Sequence, residues 1–418
     1  MNDRNQIPFA AKLGSLGAEP PLSETAAMIL ESLERYAAEV MRPVGADLDR
    51  MTPDEVIAPG SPYWDARRKF VELGFGVEAL LGFEPEERGK MMCLLFETMG
   101  WGDSGLAISF GAGMLPQYMC AVLGRDDLLQ QYPDAVLGCW GITEPDHGSD
   151  MLDPNRMIFH PQGQYGRPNC AARIDGDEVV VNGQKSAWVS NGTIAEVCVL
   201  YCATDTGSGF DAQRGCVVIV PMDAPGVSRG KALDKIGQRA LNQGEIYFDN
   251  VRVPRSHLLA GPDEFEDAVK IIHTAANGLM GATFTGVARA AYELALDYAH
   301  ERKQGGVPII RHQSVAYRLF HMFRKVEAAR ALTNRVVHYN FVSPNPALHA
   351  AMTAKVTATQ SAFEVASDAL QIFGGNGLTR EYPVEKLLRD ARASLIEDGC
   401  NEILAIKGGY YLIDPDRL

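Results

Sequence analysis

The stretch QIFGGNGLTREYPVEKLLRDARASLIEDGCNEI, residues 371–403, carries the features that decide the fold of the C-terminal third. A helical pattern breaks there into a glycine cluster at Gly374 and Gly375, where the backbone can approach another group closely. A simple glycine cap at a helix end would give the same pattern. Farther along, Glu397 and Asp398 precede a glycine, and Asp-Gly favours turns. The stretch therefore predicts a helix end and a turn that carries two carboxylates.

Long helical patterns lie upstream, beyond the turn-forming segment LLAGPDEFED. In LMGATFTGVARAAYELALDYAHERK the apolar residues recur at helical spacing and form one stripe. The members of the stripe are Leu279, Phe284, Val287, Ala291, Leu294 and Tyr298. Residues 259–418 are therefore predicted to form a helical bundle.

The spacing of the apolar residues changes near Gly138. The segments EVVVNGQKSAWVS, EVCVLYCAT, RGCVVIVPM and GEIYFDNVRVP are short, rich in β-branched residues and bounded by Gly, Asp, Asn or Pro. We expect a β domain over residues 137–258. Inside it, GSGFDA at Gly207 lies in a polar connection that no helix follows, so it is interpreted as a loop and not as a dinucleotide-binding motif.

The N-terminal third again has helical spacing. The segment SETAAMILESLERYAAEVM predicts a helix that ends before Pro43, and residues 21–136 are expected to form a helical domain behind a tail at 1–20. A polar segment at 151–170 is interpreted as an extended loop.

Composition restricts the function. A net charge of −14 over 418 residues argues against a nucleic-acid partner, and no apolar run approaches the roughly 18 residues that span a bilayer. The N-terminus has no apolar signal segment, so a cytoplasmic location is expected. The eight cysteines include no CxxC pair and are expected to be reduced, mostly buried thiols. No metal site is expected.

Five blocks of the sequence resemble the acyl-CoA dehydrogenase superfamily. They are GITEPDHGSD (141–150), NGQKSAWVSNG (182–192), KIGQRALNQGEIYFDNVRVP (235–254), ERKQGGVPIIRHQ (301–313) and the opening stretch. They occur in family order, and the resemblance runs from about residue 25 to the C-terminus. It implies an α+β multidomain fold with an N-terminal α-helical domain, a middle β-barrel or sandwich domain and a C-terminal four-helix bundle.

The resemblance also implies FAD as the cofactor, an acyl-CoA substrate, an acceptor such as an electron-transferring flavoprotein, and a homotetramer. Thr143 would bond the pyrimidine side of the flavin, Ser149 would face the pyrophosphate and substrate, Trp188 would pack on the ring and Ser190 would bond near N5. Further residues expected to contact the cofactor are Trp140, Ile142, Cys400 and Glu402. A turn at 143–150 or a core tryptophan would explain the same residues without a cofactor.

A second group of residues would bind the other end of FAD. Arg302 and Gln313 would reach the pyrophosphate in a neighbouring subunit, and Gln371, Gly374 and Gly375 would lie against the adenine end. An ordinary surface arginine at a helix end is the alternative for Arg302. The chain departs from the family in three places: an additional residue precedes Trp188, and His147 and Gly305 replace the usual small and aromatic residues.

The catalytic position also differs from the family. Most members have Glu-Gly-Thr there, whereas alignment on the glycine places Asp398 at the base position. Glu397 is the alternative base, and a turn or helix N-cap role for Asp398 would leave neither carboxylate catalytic. Ser149, Asn277 and Gly399 are expected to contact the substrate, with Asn277 in place of a basic residue.

The sequence thus predicts α,β-dehydrogenation of an acyl-CoA thioester to the 2-enoyl-CoA, with proton removal by a carboxylate and hydride transfer to flavin N5. Three rival activities share the fold: a nitroalkane oxidase-like reaction, a flavin monooxygenase, and a desulfinase-like protein or homologue without dehydrogenase activity. The acyl group and the electron acceptor do not follow from the sequence.

Overall fold

The computed structural model describes residues 22–153 and 166–414. The predicted tail at 1–20 and most of the predicted loop at 151–170 lie outside the described residues. The described part begins with helices, continues with an eight-stranded sheet and ends with a helical bundle. This order confirms the α+β multidomain fold that the sequence predicted.

Nine helices precede the sheet in the described chain. Their first turns carry strong start signals: the Ser23 side chain accepts a hydrogen bond from the Ala26 amide, and Thr52 and Glu55 form a reciprocal capping box. The helices are α1 (Glu24–Tyr36), α2 (Arg42–Leu48), α3 (Pro53–Ile57), α4 (Pro62–Glu72), α5 (Val77–Gly82), α6 (Pro85–Gly102), α7 (Ser104–Gly113), α8 (Leu115–Val122) and α9 (Asp126–Gln131).

The prediction that the first helix ends before Pro43 is wrong. A π-helical turn, Ala37–Met41, joins α1 to α2, and Pro43 lies at the start of α2. A proline has no amide hydrogen to donate, and a proline near the beginning of a helical segment leaves no bond of that segment unmade. The chain therefore stays helical until Leu48.

The buried stretches of the longer strands are rich in valine and other apolar residues. The strands are β1 (Gly138–Gly141), β2 (Cys170–Asp175), β3 (Glu178–Ser190), β4 (Val197–Asp205), β5 (Phe210–Pro221), β6 (Val227–Arg229), β7 (Gln243–Pro254) and β8 (Leu258–Ala260). Their order is β6-β7-β3-β2-β4-β5-β8, and β1 pairs with β4. β4 is buried along nearly its whole length, as expected for a central strand covered on both faces. The GSGFDA segment forms the connection from β4 into β5, as predicted.

The bundle contains three long helices and two shorter ones. They are α10 (Phe265–Glu301), α11 (Gln313–Val342), α12 (Leu348–Phe373), α13 (Val384–Ser394) and α14 (Asn401–Ile413). A small hairpin of β9 (Lys303–Gln304) and β10 (Val307–Pro308) connects α10 to α11. Helix α6 approaches α10 so closely that a Cβ at Gly286 would lie 2.0 Å from the Glu97 carbonyl oxygen. This contact joins the N-terminal helices to the bundle.

A buried ion cluster joins the three parts of the chain. The ammonium of Lys386 on α13 lies 2.5 Å from the Asp103 carboxylate, at the start of α7, and 2.6 Å from the Asp390 carboxylate. Asp390 also accepts hydrogen bonds from the Ser104 hydroxyl at 3.2 Å and from the Gln238 amide at 2.5 Å. Gln238 belongs to the segment between β6 and β7. The cluster therefore fixes helices, sheet and bundle relative to one another.

The cysteines are free thiols, and seven of the eight are buried, which confirms that prediction. Over residues 22–153 and 166–414, no single helix has the length and apolar composition needed to cross a membrane. The bent pair α7 and α8 passes that test jointly, by length and composition alone. Most of α7 is buried inside the protein.

Replacing Lys386 by methionine tests the ion cluster. Because Lys386→Met leaves two buried carboxylates without their cation, we expect the free energy of unfolding to fall by about 3 kcal/mol or more. Chemical denaturation followed by circular dichroism measures this change. Lys69→Met is the matched control, since its partner Asp65 is half exposed and the pair should contribute less than about 1 kcal/mol. Equal losses in the two variants would contradict a structural role for the cluster.

Candidate active site

The predicted carboxylate turn connects α13 to α14. Asp398 and Gly399 adopt consecutive left-handed conformations, with φ of +50° and +90°. Aspartate tolerates this region better than most residues, and glycine adopts it freely. A Cβ on Gly399 would also lie 2.5 Å from the Leu152 side chain. Glycine is therefore required at 399, and the two conformations turn the chain sharply just before α14.

Three side chains from three different elements hold this turn. The Ser149 hydroxyl accepts a hydrogen bond from the Cys400 amide at 3.1 Å. The Asn277 amide group on α10 donates to the Asp398 carbonyl at 3.5 Å. The Lys355 ammonium on α12 donates to the Gly399 carbonyl at 2.8 Å. The structure therefore brings together the predicted substrate-contacting residues and the predicted base position.

The two carboxylates of the turn have perturbed acidities. Burial raises the pKa of Asp398, and the nearby Lys355 ammonium acts in the opposite sense. Burial and the neighbouring Asp398 raise the pKa of Glu397 to about 8, although Lys235 and Lys355 lower it. Both groups thus accept a proton more readily than an ordinary surface carboxylate.

The helix-cap interpretation of Asp398 is wrong. The N-cap residue of α14 is Cys400, two residues farther along, and the Asn401 amide bonds back to the Leu395 carbonyl at 3.0 Å. Asp398 belongs to the turn before the helix, so its carboxylate is not used to satisfy the first amides of α14.

The block GITEPDHGSD leaves β1 and is tied to β3 by a buried ion pair. The carboxylate of Glu144 lies 2.6 Å from the Lys185 ammonium, and neither side chain has exposed surface. Although burial disfavours its charge, Glu144 raises the pKa of Lys185. The Thr143 carbonyl accepts the Ser186 amide at 2.9 Å, and Lys185 also donates to the Ile142 carbonyl. The predicted flavin-binding loop is therefore rigidly positioned, with Ile142 buried beneath it.

His147 fixes the end of the same loop. Its Nδ1 atom lies 2.7 Å from the Asp150 carboxylate, and its Nε2 atom lies 3.2 Å from the Arg167 carbonyl. The Asp150 carboxylate raises the pKa of His147 in spite of burial. The replacement of a small residue by histidine thus adds a support directly before Ser149.

Trp188 lies in a bulge of β3. The pairing of β3 with β7 shifts between Lys185, which pairs with Ile246, and Val189, which pairs with Gly244, so the β3 side is the longer one there. Val189 stays buried, whereas the Trp188 side chain is 58% exposed. The interpretation of Trp188 as a core residue is therefore wrong. An exposed indole on a fixed strand offers a flat apolar face to a ligand.

A hydrogen-bond chain supports the strand end that carries Trp188 and Ser190. The Gln243 amide group donates to the Trp188 carbonyl at 3.2 Å and to the Ser190 hydroxyl at 3.3 Å. The Lys235 ammonium donates to the Gln243 side-chain oxygen at 2.8 Å. Burial lowers the pKa of Lys235 to about 8, and the Glu397 carboxylate counteracts this effect. Lys235 and Gln243, which the sequence did not single out, thus link the β3 bulge electrostatically to the carboxylate turn.

A buried polar group lies on the α10 side of the turn. Trp140 packs edge-to-face on His273, with ring centroids 5.8 Å apart. Trp140 Nε1, His273 Nε2 and Asn277 Oδ1 have no hydrogen-bond partner among the described residues. Burial also holds the pKa of His273 well below its usual range. Trp140 is thus partly buried with its Nε1 atom enclosed, and His273 is a further buried residue that sequence reasoning missed.

The second predicted group gathers at one end of the bundle. Tyr298 near the end of α10 stacks on Phe373 at the end of α12, with ring centroids 4.0 Å apart. This contact brings the Arg302 segment close to the glycine cluster that follows α12. The predicted residues Arg302, Gln313, Gln371, Gly374 and Gly375 are exposed, as is Glu402 of the first group at the start of α14. Gly374 is the C-cap of α12 with φ +59°, as the cap interpretation predicted, and its contact with the adenine end of FAD stays a prediction.

The residues present fit an FAD molecule. The exposed Trp188 face suits a planar ring, and Ser190 places a hydroxyl beside it. A Cβ at Gly374 or Gly375 would meet no atom within 4 Å, so the backbone is open to a ligand there. Arg302 supplies an exposed guanidinium suited to a pyrophosphate.

Comparison with known proteins agrees with this geometry. The family model of the acyl-CoA dehydrogenase middle domain matches residues 139–251, and that of the C-terminal domain matches residues 275–407. A probable acyl-CoA dehydrogenase of Bacillus subtilis (strain 168), YngJ, is 31% identical over 83% of this chain and 91% of its own length. Benzylmalonyl-CoA dehydrogenase of Aromatoleum aromaticum is 32% identical over 84% of this chain and 93% of its own.

Solved structures show the same fold. A glutaryl-coenzyme A dehydrogenase in complex with glutaryl-CoA superimposes with a TM-score of 0.81 at 26% identity, covering 94% of this chain and 96% of that one. From the matched domains, the nearly full-length relatives and the residues gathered at the turn, the chain belongs to the acyl-CoA dehydrogenase family and is an FAD-dependent oxidoreductase that acts on acyl-CoA.

Proposed function

We propose that Asp398 is the base in the oxidation of an acyl-CoA to its 2-enoyl-CoA. The Asp398 carboxylate takes the proton from Cα of the thioester, the hydrogen on Cβ leaves with its electron pair, and a Cα–Cβ double bond forms. FAD, when bound, supplies the acceptor for that hydride at N5. The observation that carries the proposal is the turn at 396–400, which presents a partly buried carboxylate beside Ser149 and Asn277.

The acidity of the site supports this role. The α-proton of a thioester is a weak acid, so an ordinary carboxylate removes it slowly. Burial raises the pKa of Asp398 and makes its carboxylate a stronger base than a solvated one. The burial that raises this pKa also strengthens any hydrogen bond made to the developing enolate, because water competes less.

The geometry of the turn accommodates the shorter side chain. Aspartate reaches one methylene less far than the glutamate found at this position in most of the family. Consecutive left-handed residues at 398 and 399, held by Ser149, Asn277 and Lys355, give the turn a fixed shape. We infer that the substrate Cα lies correspondingly closer to the backbone of Asp398.

Glu397 is the second candidate for the base. Its carboxyl pKa of about 8 suits proton abstraction near neutral pH. However, the larger of the two cationic effects on its pKa comes from Lys235, which lies in the segment between β6 and β7, and the smaller comes from Lys355. The rival activities considered from the sequence are not favoured, since the relatives act as acyl-CoA dehydrogenases.

We further propose a homotetramer in which Arg302 and Gln313 reach the FAD of a neighbouring subunit. Large apolar side chains on the outer face of α11 support assembly, with Tyr317 68% and Phe320 62% exposed. We propose an electron-transferring flavoprotein as the acceptor that reoxidises the enzyme. The cytoplasmic location and a role in fatty acid or other acyl-CoA catabolism stay predictions.

The first test compares Asp398→Asn with Glu397→Gln. Removal of the base should slow anaerobic bleaching of the flavin by an acyl-CoA at least about 1,000-fold in Asp398→Asn. Glu397→Gln should keep the rate within about tenfold of the wild-type rate. A panel of straight, branched and aromatic acyl-CoA thioesters in a stopped-flow spectrophotometer provides the measurement. If Glu397→Gln bleaches its flavin slowly and Asp398→Asn bleaches it at the wild-type rate, Glu397 is the base and Asp398 is not.

The pH dependence of the same reaction has a predicted sign. Only the ionised carboxylate can accept the proton, and burial raises the pKa of Asp398 above its usual value of about 3.9. The bleaching rate should therefore rise as pH increases through this raised pKa and level off above it. A rate that falls over the same interval would contradict a carboxylate base.

Substitution of Trp188 tests the flavin face. Trp188→Ala removes the exposed indole, and we expect the dissociation constant for FAD to rise by about threefold to tenfold. Trp188→Phe retains an aromatic face and should bind FAD nearly as tightly as the wild type. Fluorescence titration of the apoprotein with FAD provides the values. An unchanged affinity for FAD in Trp188→Ala would show that the exposed indole does not contribute to binding of the cofactor.

A charge on the outer face of α11 tests the assembly. Phe320→Glu should convert the tetramer to smaller species and reduce the bound FAD, because the cofactor site would be incomplete in an isolated subunit. Light scattering coupled to size exclusion measures the mass, and absorbance gives the flavin content. Met28→Glu on α1 is the matched control, since Met28 has the same 62% exposure. Intact tetramers in Phe320→Glu would exclude this face from the interface.

A further inference from the structure

Lys355 is an unusual lysine because it is completely buried in the bundle. Its side chain has no exposed surface, and a buried ammonium is costly unless its hydrogens are bonded and its charge is balanced. Its Nζ atom donates to the Gly399 carbonyl at 2.8 Å and to the Asn401 side-chain oxygen at 2.8 Å. Both acceptors belong to the segment that carries Asp398. The lysine therefore directs its charge at the base turn.

Acidic groups face Lys355 from the turn and from α14. They are Asp398, Glu397, Cys400 and Glu402. Glu397 is also influenced by a second cation, Lys235, from the segment between β6 and β7. Burial lowers the pKa of Lys355 to about 8, whereas Asp398 and its neighbours raise it, so the lysine is mostly protonated at neutral pH.

The cation and the hydrogen bonds of Lys355 have separable effects. Asn401 is also bonded to Thr359, one turn along α12, since its amide group donates to the Thr359 hydroxyl at 3.0 Å. Thr359 is buried and uncharged. Lys355 and Thr359 thus both bind Asn401 from the same face of α12, and only Lys355 carries a charge.

We propose that Lys355 is a positioning residue: its hydrogen bonds hold the base turn in shape, and its charge keeps Asp398 ionised for proton abstraction. The inference rests on the proposed role of Asp398. Without the cation, the buried carboxyl would hold its proton to a higher pH, and less of the enzyme would have a base ready to react. An ammonium close to a carboxylate typically changes its pKa by about one unit or more in this direction.

The test uses Lys355→Met, which keeps most of the length of the side chain but removes both the charge and the two hydrogen bonds to the turn segment. The rising limb of the bleaching rate against pH should move upward by about one pH unit because the charge is lost, and the plateau at high pH should be lower because the hydrogen bonds are lost too. Thr359→Val, which removes the neutral tether alone, should leave the limb in place. A rate that falls equally at every pH in Lys355→Met would overturn the proposal and leave Lys355 a purely structural residue.

A second readout does not depend on turnover. Infrared titration of the holoenzyme identifies the protonated carboxyl band of Asp398 as the band missing in Asp398→Asn. In Lys355→Met this band should persist to a pH about one unit higher, and in Thr359→Val it should titrate as in the wild type. If no thioester bleaches the wild-type flavin, the proposed reaction fails, yet the infrared shift still decides the role of Lys355. An unshifted band would refute it.

Lys355→Gln provides a second neutral variant, which retains a donor for the Gly399 carbonyl. Circular dichroism and flavin content verify that each variant is folded and loaded. If the charge of Lys355 keeps Asp398 ionised, Lys355→Gln should shift the rising limb of the pH–rate profile and the infrared band of Asp398 as Lys355→Met does. A wild-type titration in Lys355→Gln would show that the hydrogen bond alone suffices, contrary to the proposal.

Discussion

The Lys386 ammonium, enclosed between the carboxylates of Asp103 and Asp390, is the interaction on which the arrangement of the chain depends. It links the N-terminal helices, the bundle and, through the Gln238 amide, the segment between β6 and β7. The proposed active site lies where these parts meet. A carboxylate turn from the bundle, a serine from the loop after β1 and an exposed tryptophan from β3 belong to one site only when the parts are fixed relative to one another.

The proposed site combines two partly buried carboxylates with two lysines. The carboxylates Glu397 and Asp398 are adjacent in the chain, and each faces a lysine with a pKa of about 8. Lys355 directs its charge at the turn from α12, and Lys235 connects the other side to Gln243 and the end of β3. Two like charges in a low-dielectric interior would repel strongly without these cations. The acidity of the proposed base thus depends on residues from separate elements.

The amino-acid sequence predicted the order of the elements because hydrophobic periodicity is local. The change from helical spacing to β-branched runs near Gly138, and back again after Ala260, follows directly from residues adjacent in the chain. Pro43 was misinterpreted because the preceding π turn has no signal in the sequence. The bulge near Trp188 depends on the pairing of β3 with β7, which no local pattern records. Lys235, His273 and Lys355 were missed because each acts across a long sequence separation, through burial and charge that no local pattern records.

Removal of the α-proton by Asp398, the step proposed above, can be observed without hydride transfer. A thioester in which sulfur replaces the β-methylene has acidic α-hydrogens but no hydride to give. In deuterated water the wild-type enzyme and Glu397→Gln should exchange these hydrogens for deuterium, as followed by mass spectrometry. Asp398→Asn should exchange them no faster than the solution without enzyme. Exchange at the wild-type rate in Asp398→Asn would contradict the assignment of the base.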